Sequence, residues 1–259
     1  VLGVEFWHIM ILFVYMEFIL ISILGLIMGI ITSISGGAGV FAVPTMLAFG
    51  VPPINTLALN RMSDLGVVFG ALKKYHNSKS IDWKLAFIIM IPLVIGSYIG
   101  ANIILKLPEN ILHYIILAGV LIGIVFLLKK TKSHTNNRKK TLSIIGLVFM
   151  LLVGLWSGAL AMAGATFAVL VLVHFFHKTF LKARGTDIVA AIPETAISAT
   201  ILSLGSTVSY KLLLIMFISS FIGAWIGSHL AVKHGDKLIR KAMIAIAVLM
   251  IIKIIFDFF

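Results

Sequence analysis

Charged side chains interrupt two otherwise apolar stretches of this 259-residue sequence. Arg61 and Asp64 lie in the first stretch, and Asp187 and Glu194 lie in the second. A guanidinium group binds carboxylate, sulfite or sulfonate oxygens through paired hydrogen bonds, which makes Arg61 a candidate anion-binding group. On a helix, Asp64 would lie one turn after Arg61, so an internal ion pair is the alternative interpretation. The two interpretations are compatible.

The acidic side chains in these stretches are candidates for carrying a coupling ion. Glu194 is the first candidate, because it lies near the middle of its apolar stretch and follows Pro193, which removes a backbone donor. Its alternative role is that of a static partner for Arg61. Asp187 lies beside Arg184 near the end of the same stretch, where a solvated ion pair is the expected alternative. The candidate ion-coupling residues are therefore Asp64, Asp187 and Glu194.

No other motif points to catalysis or to metal binding. His174 and His177 have the i, i+3 spacing of a helical metal pair, but no third ligand has suitable spacing, and we interpret them as interfacial histidines. The sequence has no cysteine, and it contains no nucleophile elbow, metalloprotease helix or phosphate loop. We expect neither an enzyme, nor a cofactor, nor a metal site.

The composition predicts a membrane protein. Hydrophobic residues make up 61% of the chain and charged residues 12%, and the mean hydropathy is +1.15. The apolar runs approach the ~20 residues with which a helix crosses a hydrocarbon core, and they lack the alternation of a barrel strand. We assign the net charge of +12 to topology signals and lipid headgroup contacts and expect no nucleic-acid partner. The ten predicted helical segments are residues 6–31, 36–49, 54–75, 83–105, 110–128, 141–161, 164–177, 186–206, 210–232 and 237–257.

One pattern occurs twice, 127 positions apart. Residues 82–128 align with residues 209–255, and each copy carries a Gly-x-x-x-Gly, which begins at Gly96 and at Gly223. Lys and Arg are concentrated in the loop that precedes the first copy, whereas in the second copy they are concentrated in the loop that follows it. Because basic loops stay on the cytoplasmic side, the two copies should have opposite orientations in the membrane, as in the inverted repeats of secondary transporters. The predicted division is a first repeat at residues 1–128, a basic cytoplasmic linker at 129–140 and a second repeat at 141–259.

Each predicted repeat opens with an interrupted hydrophobic segment. Small residues break the chain at Ser35-Gly36-Gly37-Ala38-Gly39 and again at Ala163-Gly164-Ala165. We predict a helical hairpin at each break with its tip inside the membrane, and paired breaks of this kind indicate a transporter's binding site. Close helix packing by small residues is the alternative. The candidate substrate-binding residues are Ser35, Gly36, Gly37, Gly39, Asn60, Arg61, Gly164 and Thr186.

The basic residues also predict the orientation of the chain. If the segments alternate, all but four of the 21 lysines and arginines fall on one side, the four being Arg61, Lys106, Lys211 and Lys253. The richer side should be cytoplasmic, so both termini should face outward. Arg61 is the one basic side chain that we place well within a segment on the charge-poor side, about 10 Å deep at 1.5 Å per residue.

Four short motifs occur in a fixed order along the chain. They are Gly25-x-x-x-Gly29, the break at residues 35–39, Ala58-Leu59-Asn60-Arg61, and Ala183-Arg184-Gly185-Thr186. Together with the duplicated Gly-x-x-x-Gly, this order resembles the TauE/SafE-type sulfite and organosulfonate exporters over about residues 20–257. The resemblance implies a bacterial inner-membrane protein that moves small sulfur-containing anions out of the cell. The family's glycine triplet is reduced to Ala163-Gly164-Ala165 in the second half, so the second tip could bind a different ligand or none.

The sequence therefore predicts an all-α polytopic membrane protein with two inverted-topology repeats, each a broken helical hairpin followed by three transmembrane helices. We expect a secondary active exporter of a small anion, such as sulfite or an organosulfonate, that works by alternating access with proton coupling. The alternatives are a membrane-embedded assembly protein and a passive anion channel. The expected partners are the anion and the lipid bilayer, and the oligomeric state, a homodimer included, stays open.

Overall fold

The computed structural model describes residues 2–108, 111–112, 114–115, 118 and 143–258. The predicted linker at 129–140 and most of the predicted segment at 110–128 lie outside the described residues. Side chains are described from Phe18 onward and, after residue 242, only at residues 244 and 245.

The described part of the chain contains helices and no strand. Four of the helices contain windows long and apolar enough to cross a membrane, at Phe18–Ser35, Trp83–Ile104, Phe180–Leu204 and Tyr210–Ala242. The prediction of an all-helical membrane protein is confirmed. The helices are α1 Leu2–Ser35, α2 Gly39–Ala48, α3 Pro53–Asn77, α4 Trp83–Ile104, α5 Ile144–Leu160, α6 Gly164–Phe175, α7 Phe180–Leu204 and α8 Tyr210–Phe258.

Local sequence signals explain where several helices begin. Asp82 caps α4 by accepting a hydrogen bond from the Leu85 N–H at 3.1 Å. Ser143 caps α5 by accepting a hydrogen bond from the Gly146 N–H at 3.1 Å. A proline at the first position starts α3, where its missing N–H costs nothing. Helix α8 bends at Gly235, whose φ of 62° interrupts the helix between the two segments predicted at 210–232 and 237–257.

Backbone features recur at the 127-residue spacing found in the sequence. Helices α3 and α7 are both 25 residues long, and their first residues, Pro53 and Phe180, are 127 positions apart. The backbone also enters the left-handed region at matching places. Gly36 (φ 79°) corresponds to Ala163 (φ 56°), and Gly50 (φ 79°) corresponds to His177 (φ 51°).

Glycines bring two pairs of helices into backbone contact. Helix α1 packs on α8, where a Cβ added to Gly29 would lie 2.2 Å from the Ser220 carbonyl oxygen. Helix α4 packs on α5, where a Cβ added to Gly96 would lie 2.2 Å from the Leu151 carbonyl oxygen. Any side chain at these positions would force the helices apart, so the Gly-x-x-x-Gly motifs are packing elements.

Helices α3 and α7 cross the centre of the bundle in antiparallel directions. Near the start of α3, the Asn55 Nδ2 donates to the Thr207 Oγ1, just after α7, at 2.9 Å. Just after α3, the Ser80 carbonyl lies against Gly185, near the start of α7. The polar residues predicted from the sequence lie between these two contacts.

One end of the bundle gathers most of the described basic residues. The Lys178 Nζ lies 2.6 Å from the Asp82 Oδ2, and the Leu181 N–H donates to the Asp236 Oδ1 at 2.8 Å. These contacts join the start of α4, the start of α7 and the bend in α8. The basic residues around this end, hereafter the basic end, are Lys73, Lys74, Lys79, Lys84, Lys178, Lys182, Lys233, Lys237, Arg240 and Lys241.

Candidate functional site

A cavity lined in part by buried polar side chains lies between α3 and α7. Helices α2 and α6 begin beside this cavity. Its volume is about 30 Å³, enough for roughly two or three water molecules at about 10–15 Å³ each. Its lining comes from both halves of the chain. The polar and charged lining residues are Thr32, Arg61, Asp64, Ser157, Arg184, Asp187, Glu194 and Thr195.

Arg61 is the centre of the first charged cluster. Its Nη2 lies 2.6 Å from the Glu194 Oε1 and donates to the Ser157 Oγ at 2.6 Å, while its Nη1 lies 3.2 Å from the Asp64 Oδ2. The Ser157 hydroxyl in turn donates to the Glu194 Oε1 at 2.8 Å. Arg61, Ser157 and Glu194 therefore form a closed triangle of hydrogen bonds. In this conformation Arg61 is an ion-pair partner of both Asp64 and Glu194.

This triangle leaves one donor of Arg61 unused. Arg61 is 2% exposed, and among the described residues its Nε has no hydrogen-bond partner. A buried guanidinium donor without a partner is costly. The side chain therefore has capacity for an additional acceptor.

Arg184 is the centre of a second charged cluster. Its Nη1 donates to the Asp187 carboxylate one turn along the same helix. Its Nη2 donates to the Thr32 carbonyl at 2.8 Å, and its Nε donates to the Ser33 carbonyl at 3.4 Å. The Tyr75 hydroxyl also donates to the Ser33 carbonyl, at 2.9 Å. Arg184 thus fixes the end of α1 against α7, and Tyr75 fixes it against α3.

The two clusters are built alike. Arg61-x-x-Asp64 lies on α3 and Arg184-x-x-Asp187 lies on α7, and in each pair the partners are one helical turn apart. Each arginine also bonds to the first helix of the other half, at the residue three positions before the end of that helix. That residue is Ser157 for Arg61 and Thr32 for Arg184.

The two helix breaks meet at the cavity. Gly36 and Gly39 from the first break and Ala163, Gly164 and Ala165 from the second all line it. The residues that precede α2 and α6 make no side-chain capping bond. Helix N-termini attract anions because of their free N–H groups and the helix dipole.

Direct contacts hold the two breaks together. The Thr166 Oγ1 donates to the Ser35 carbonyl at 3.0 Å. A Cβ on Gly36 would lie 2.8 Å from the Ala165 Cβ. Gly36 therefore serves close packing as well as turn formation, so the packing alternative also holds at this glycine.

The structure brings most of the sequence-predicted site residues together. Those that line the cavity are Gly36, Gly39, Arg61, Asp64, Gly164, Asp187 and Glu194. The others, Ser35, Gly37, Asn60 and Thr186, are not among its lining residues.

Three of these outer residues have identified partners. The Ser35 hydroxyl donates to the Ile31 carbonyl at 2.9 Å, and the Asn60 Nδ2 donates to the Ala161 carbonyl beside the breaks. The Thr186 hydroxyl accepts from the Asp82 N–H at 3.0 Å, towards the basic end. Asn60 and Ser35 thus support the breaks, whereas Thr186 anchors the start of α4.

The sequence-based interpretation of Arg184 and Asp187 as a solvated ion pair was wrong. They form a buried pair, since each residue is 1% exposed. Arg184 is thus a second buried arginine beside Arg61. The end of α1 and the buried Tyr75 of α3 pack around this pair and exclude water from it.

Ser157, Thr32 and Thr195 also line the cavity but were not among the predicted site residues. The repeated Arg-x-x-Asp was a signal that could have identified Arg184. No comparable signal marks Ser157 or Thr32, because a single hydroxyl in an apolar segment usually bonds to its own helix backbone. Among the described residues no group of three His, Cys, Asp or Glu side chains could hold a metal ion.

Comparison with known proteins gives a consistent family. The model of the family described as "Sulfite exporter TauE/SafE" matches residues 21–254. The chain is 26% identical over 234 residues to the "Probable membrane transporter protein YfcA" of Escherichia coli K12, which covers 88% of this chain and 86% of the relative. It is 25% identical over 239 residues to a "Probable membrane transporter protein" of Haemophilus influenzae. This match covers 90% of this chain and 92% of the relative.

A third relative has similar coverage. The "Probable membrane transporter protein YdhB" of Bacillus subtilis is 24% identical over 214 residues, covering 80% of this chain and 85% of the relative. No solved structure matches the chain significantly. The family match spans nearly the whole chain and includes both helix breaks and both charged clusters. The chain therefore belongs to the TauE/SafE family, and it is a membrane transporter.

Proposed function

We propose that this transporter moves a small oxyanion, sulfite or a small organosulfonate, through the cavity between its two helix breaks. The observation that carries the proposal is the convergence of two buried arginines and two uncapped helix N-termini on one cavity. A buried guanidinium in a membrane protein costs roughly 2.5–3.5 kcal/mol on insertion scales, so two of them around a cavity point to a functional role.

The size of the cavity supports a small substrate. At about 30 Å³, it has room for only a few water molecules in this conformation, which favours a small ligand over a bulky one. The description of the family supplies sulfite as the first candidate. The arginines supply the chemistry, because planar guanidinium donors match the paired oxygens of sulfite and sulfonate groups.

The charge balance favours proton coupling. The cavity holds two arginines and three carboxylates, one negative charge in excess when all are ionised. The two helix N-termini contribute about half a positive charge each, which brings the sum near zero. An added anion is then favoured only if a carboxylate takes up a proton, so Asp64, Asp187 and Glu194 are the coupling candidates.

We propose alternating access between two inverted halves, residues 1–128 and 141–259, joined by a linker at 129–140. Two observations support this arrangement. Helices α3 and α7, which correspond at the 127-residue spacing, run antiparallel. The contacts also exchange between halves, since α1 packs on α8 as α5 packs on α4. A site at the interface of such halves can open to either side by rocking one half against the other.

The basic end supports an orientation in a bacterial inner membrane. Basic residues are retained on the cytoplasmic side, so the basic end would face the cytoplasm and both termini would face outward. Export would then carry the anion away from the basic end. The oligomeric state is not part of the proposal.

Flux into liposomes tests the proposal. The purified protein should transport labelled sulfite, and Arg61→Ala should abolish this flux, because the anion loses its principal donor. Lys211→Ala is the matched control, since it removes an exposed positive charge at the opposite end of the bundle and should leave the flux unchanged.

The outcomes separate this proposal from its alternatives. Accumulation against a sulfite gradient when a pH gradient is imposed distinguishes a coupled transporter from a passive channel. An assembly protein would give no flux at all. Normal flux in a folded Arg61→Ala variant would contradict the role of Arg61, and Arg61→Lys, which keeps the charge, serves as a second variant if the alanine variant does not fold.

A further inference from the structure

We propose that Glu194 is the single carboxylate that exchanges a proton during transport, and that the anion takes its place on Arg61 and Ser157. This inference rests on the proposed function and specifies its coupling mechanism. Asp64 and Asp187 then act as positioning residues that stay paired with their arginines throughout the cycle.

The first argument concerns which bonds connect the two halves. Asp64 pairs with Arg61 within α3, and Asp187 pairs with Arg184 within α7. A pair within one helix moves with that helix and places no constraint between the halves. Glu194 on α7 instead bonds to Arg61 on α3 at 2.6 Å, so its bond must break if α3 and α7 separate.

The second argument concerns the bonds of the other arginine. Arg184 also reaches the opposite half, but its acceptors there are the carbonyl groups of Thr32 and Ser33. A carbonyl oxygen does not take up a proton at physiological pH, so this connection has no titratable acceptor. The position that corresponds to Glu194 at the 127-residue spacing is Val67, a buried lining residue. The coupling group is therefore present once and not twice.

The third argument concerns the charged groups around Glu194. Arg61 and Asp64 lie on α3, and Arg184 and Asp187 lie on α7 itself. The cavity lining from α1, α4, α5 and α6 contains no charged side chain. A proton on Glu194 removes the attraction to Arg61, and no other lining cation holds the side chain at the distances of a salt bridge in this structure.

The exchange then follows from the triangle of hydrogen bonds. A proton from water forms an O–H bond on the Glu194 carboxylate, which releases the Arg61 Nη2 and the Ser157 hydroxyl. Both groups donate next to the oxygens of the anion, and the unpaired Arg61 Nε gives a further donor. For a monovalent anion the exchange leaves the charge of the site unchanged, so anion and proton bind together.

Binding of methanesulfonate to the purified protein tests this inference. This sulfonate does not itself titrate between pH 5 and pH 8, so any proton uptake belongs to the protein. If one proton binds with each anion, linkage requires the dissociation constant to rise tenfold per pH unit. We expect this tenfold dependence in the wild type and a pH-independent dissociation constant in Glu194→Gln, which mimics the protonated carboxyl group.

The matched controls are Asp64→Asn and Asp187→Asn. Both change a carboxylate of the same cavity to its amide, and both should retain the tenfold dependence even if the affinity falls. Calorimetry in two buffers of different ionisation enthalpy counts the protons directly. The expected count is about one per anion in the wild type and in both controls, and zero in Glu194→Gln.

The outcomes are separable. Methanesulfonate binding by the wild type with no pH dependence would overturn the inference while leaving anion transport intact. A pH dependence that persists in Glu194→Gln but disappears in Asp64→Asn would assign the proton to Asp64 and overturn the inference. Absence of any methanesulfonate or sulfite binding by the wild type would contradict the proposed function, and the inference with it. If Glu194→Gln does not fold, the proton counts of Asp64→Asn and Asp187→Asn still decide, since a count of zero in either variant would overturn the inference.

Discussion

The triangle of Arg61, Ser157 and Glu194 explains why charged groups are present inside a membrane protein. A buried ion pair gives little net stability, because desolvation of both charges offsets their attraction. Removing one partner is nonetheless costly, by about 3–5 kcal/mol, because the other charge stays buried without compensation. Such a pair is therefore poorly suited as a structural bond and well suited as a switch. A ligand or proton that replaces one partner changes the balance strongly.

Ser157 should matter for anion affinity although it carries no charge. Its hydroxyl accepts from Arg61 and donates to Glu194, and with the anion bound it would donate to the anion. We expect Ser157→Ala to weaken sulfite binding about tenfold, or about 1.4 kcal/mol, within the range for hydrogen bonds to charged groups. Isothermal titration of the purified variant measures this change.

A second serine controls for the loss of a buried hydroxyl. Ser198 is also buried, but its hydroxyl donates to the Glu194 carbonyl of its own helix. Ser198→Ala should leave the affinity within about twofold of the wild type. Equal losses in the two variants would show that Ser157 acts only through helix packing.

The two interrupted helices position this chemistry. Each break lets a short helix start inside the bundle, so that its N-terminus faces the cavity without a capping side chain. The first break needs Gly36, because its φ is 79° and because the second break lies against it. The second break uses Ala163 at φ 56°, at the cost of about 1–2 kcal/mol for a left-handed residue with a Cβ.

Substitution of Gly36 should separate strain from contact. Gly36→Ala introduces a left-handed alanine and a Cβ 2.8 Å from the Thr166 amide nitrogen. Gly50→Ala introduces the same strain at the same φ of 79°, with nothing within 4 Å of its Cβ. We expect Gly36→Ala to reduce sulfite flux at least tenfold and to lower the melting temperature more than Gly50→Ala does. Equal effects on flux and melting would indicate that contact between the breaks is dispensable.

In the whole bundle, the cavity lies between two sets of contacts that join α3 and α7. Helices α3 and α7 meet the basic end through Ser80 and Gly185 and meet the opposite end through Asn55 and Thr207. The cavity lies between these contacts, so the proposed rocking motion would open one set while the other set closes. The close glycine contacts of α1 with α8 and of α4 with α5 each join one half to the other, so the proposed rocking motion would have to pivot at these two interfaces.

Cysteine labelling tests the proposed orientation, and the absence of native cysteine removes the background. Asn77→Cys places a thiol at the basic end, and Lys211→Cys places one at the opposite end; both positions are exposed. In spheroplasts a membrane-impermeant maleimide should label Lys211→Cys at once and Asn77→Cys only after lysis. The reverse pattern would invert the topology, and labelling of both in intact spheroplasts would contradict a transmembrane orientation. Lys132→Cys, in the predicted linker, should behave as Asn77→Cys does.

Much of the architecture was predictable because it depends on local physics. Apolar runs interrupted by Gly36 or Gly164 must form broken helices, since backbone groups in a membrane must be hydrogen bonded. The spacing of 127 residues likewise predicted which helices correspond, and it recurs in the bounds of α3 and α7. Arg61, Asp64 and Glu194 were predictable as site residues because charges inside apolar segments require a specific reason.

Tertiary structure alone decided how these groups combine. The burial of Arg184 depends on where α7 crosses α3, and a sequence near a predicted helix end gives no measure of that crossing. Ser157 joined the site because α5 packs against α4 closely enough to bring its hydroxyl to Arg61 and Glu194. Local patterns fix which groups are charged and which helices break. The direction and closeness of helix packing fix which of those groups come into contact, because such contacts depend on residues far apart in the chain.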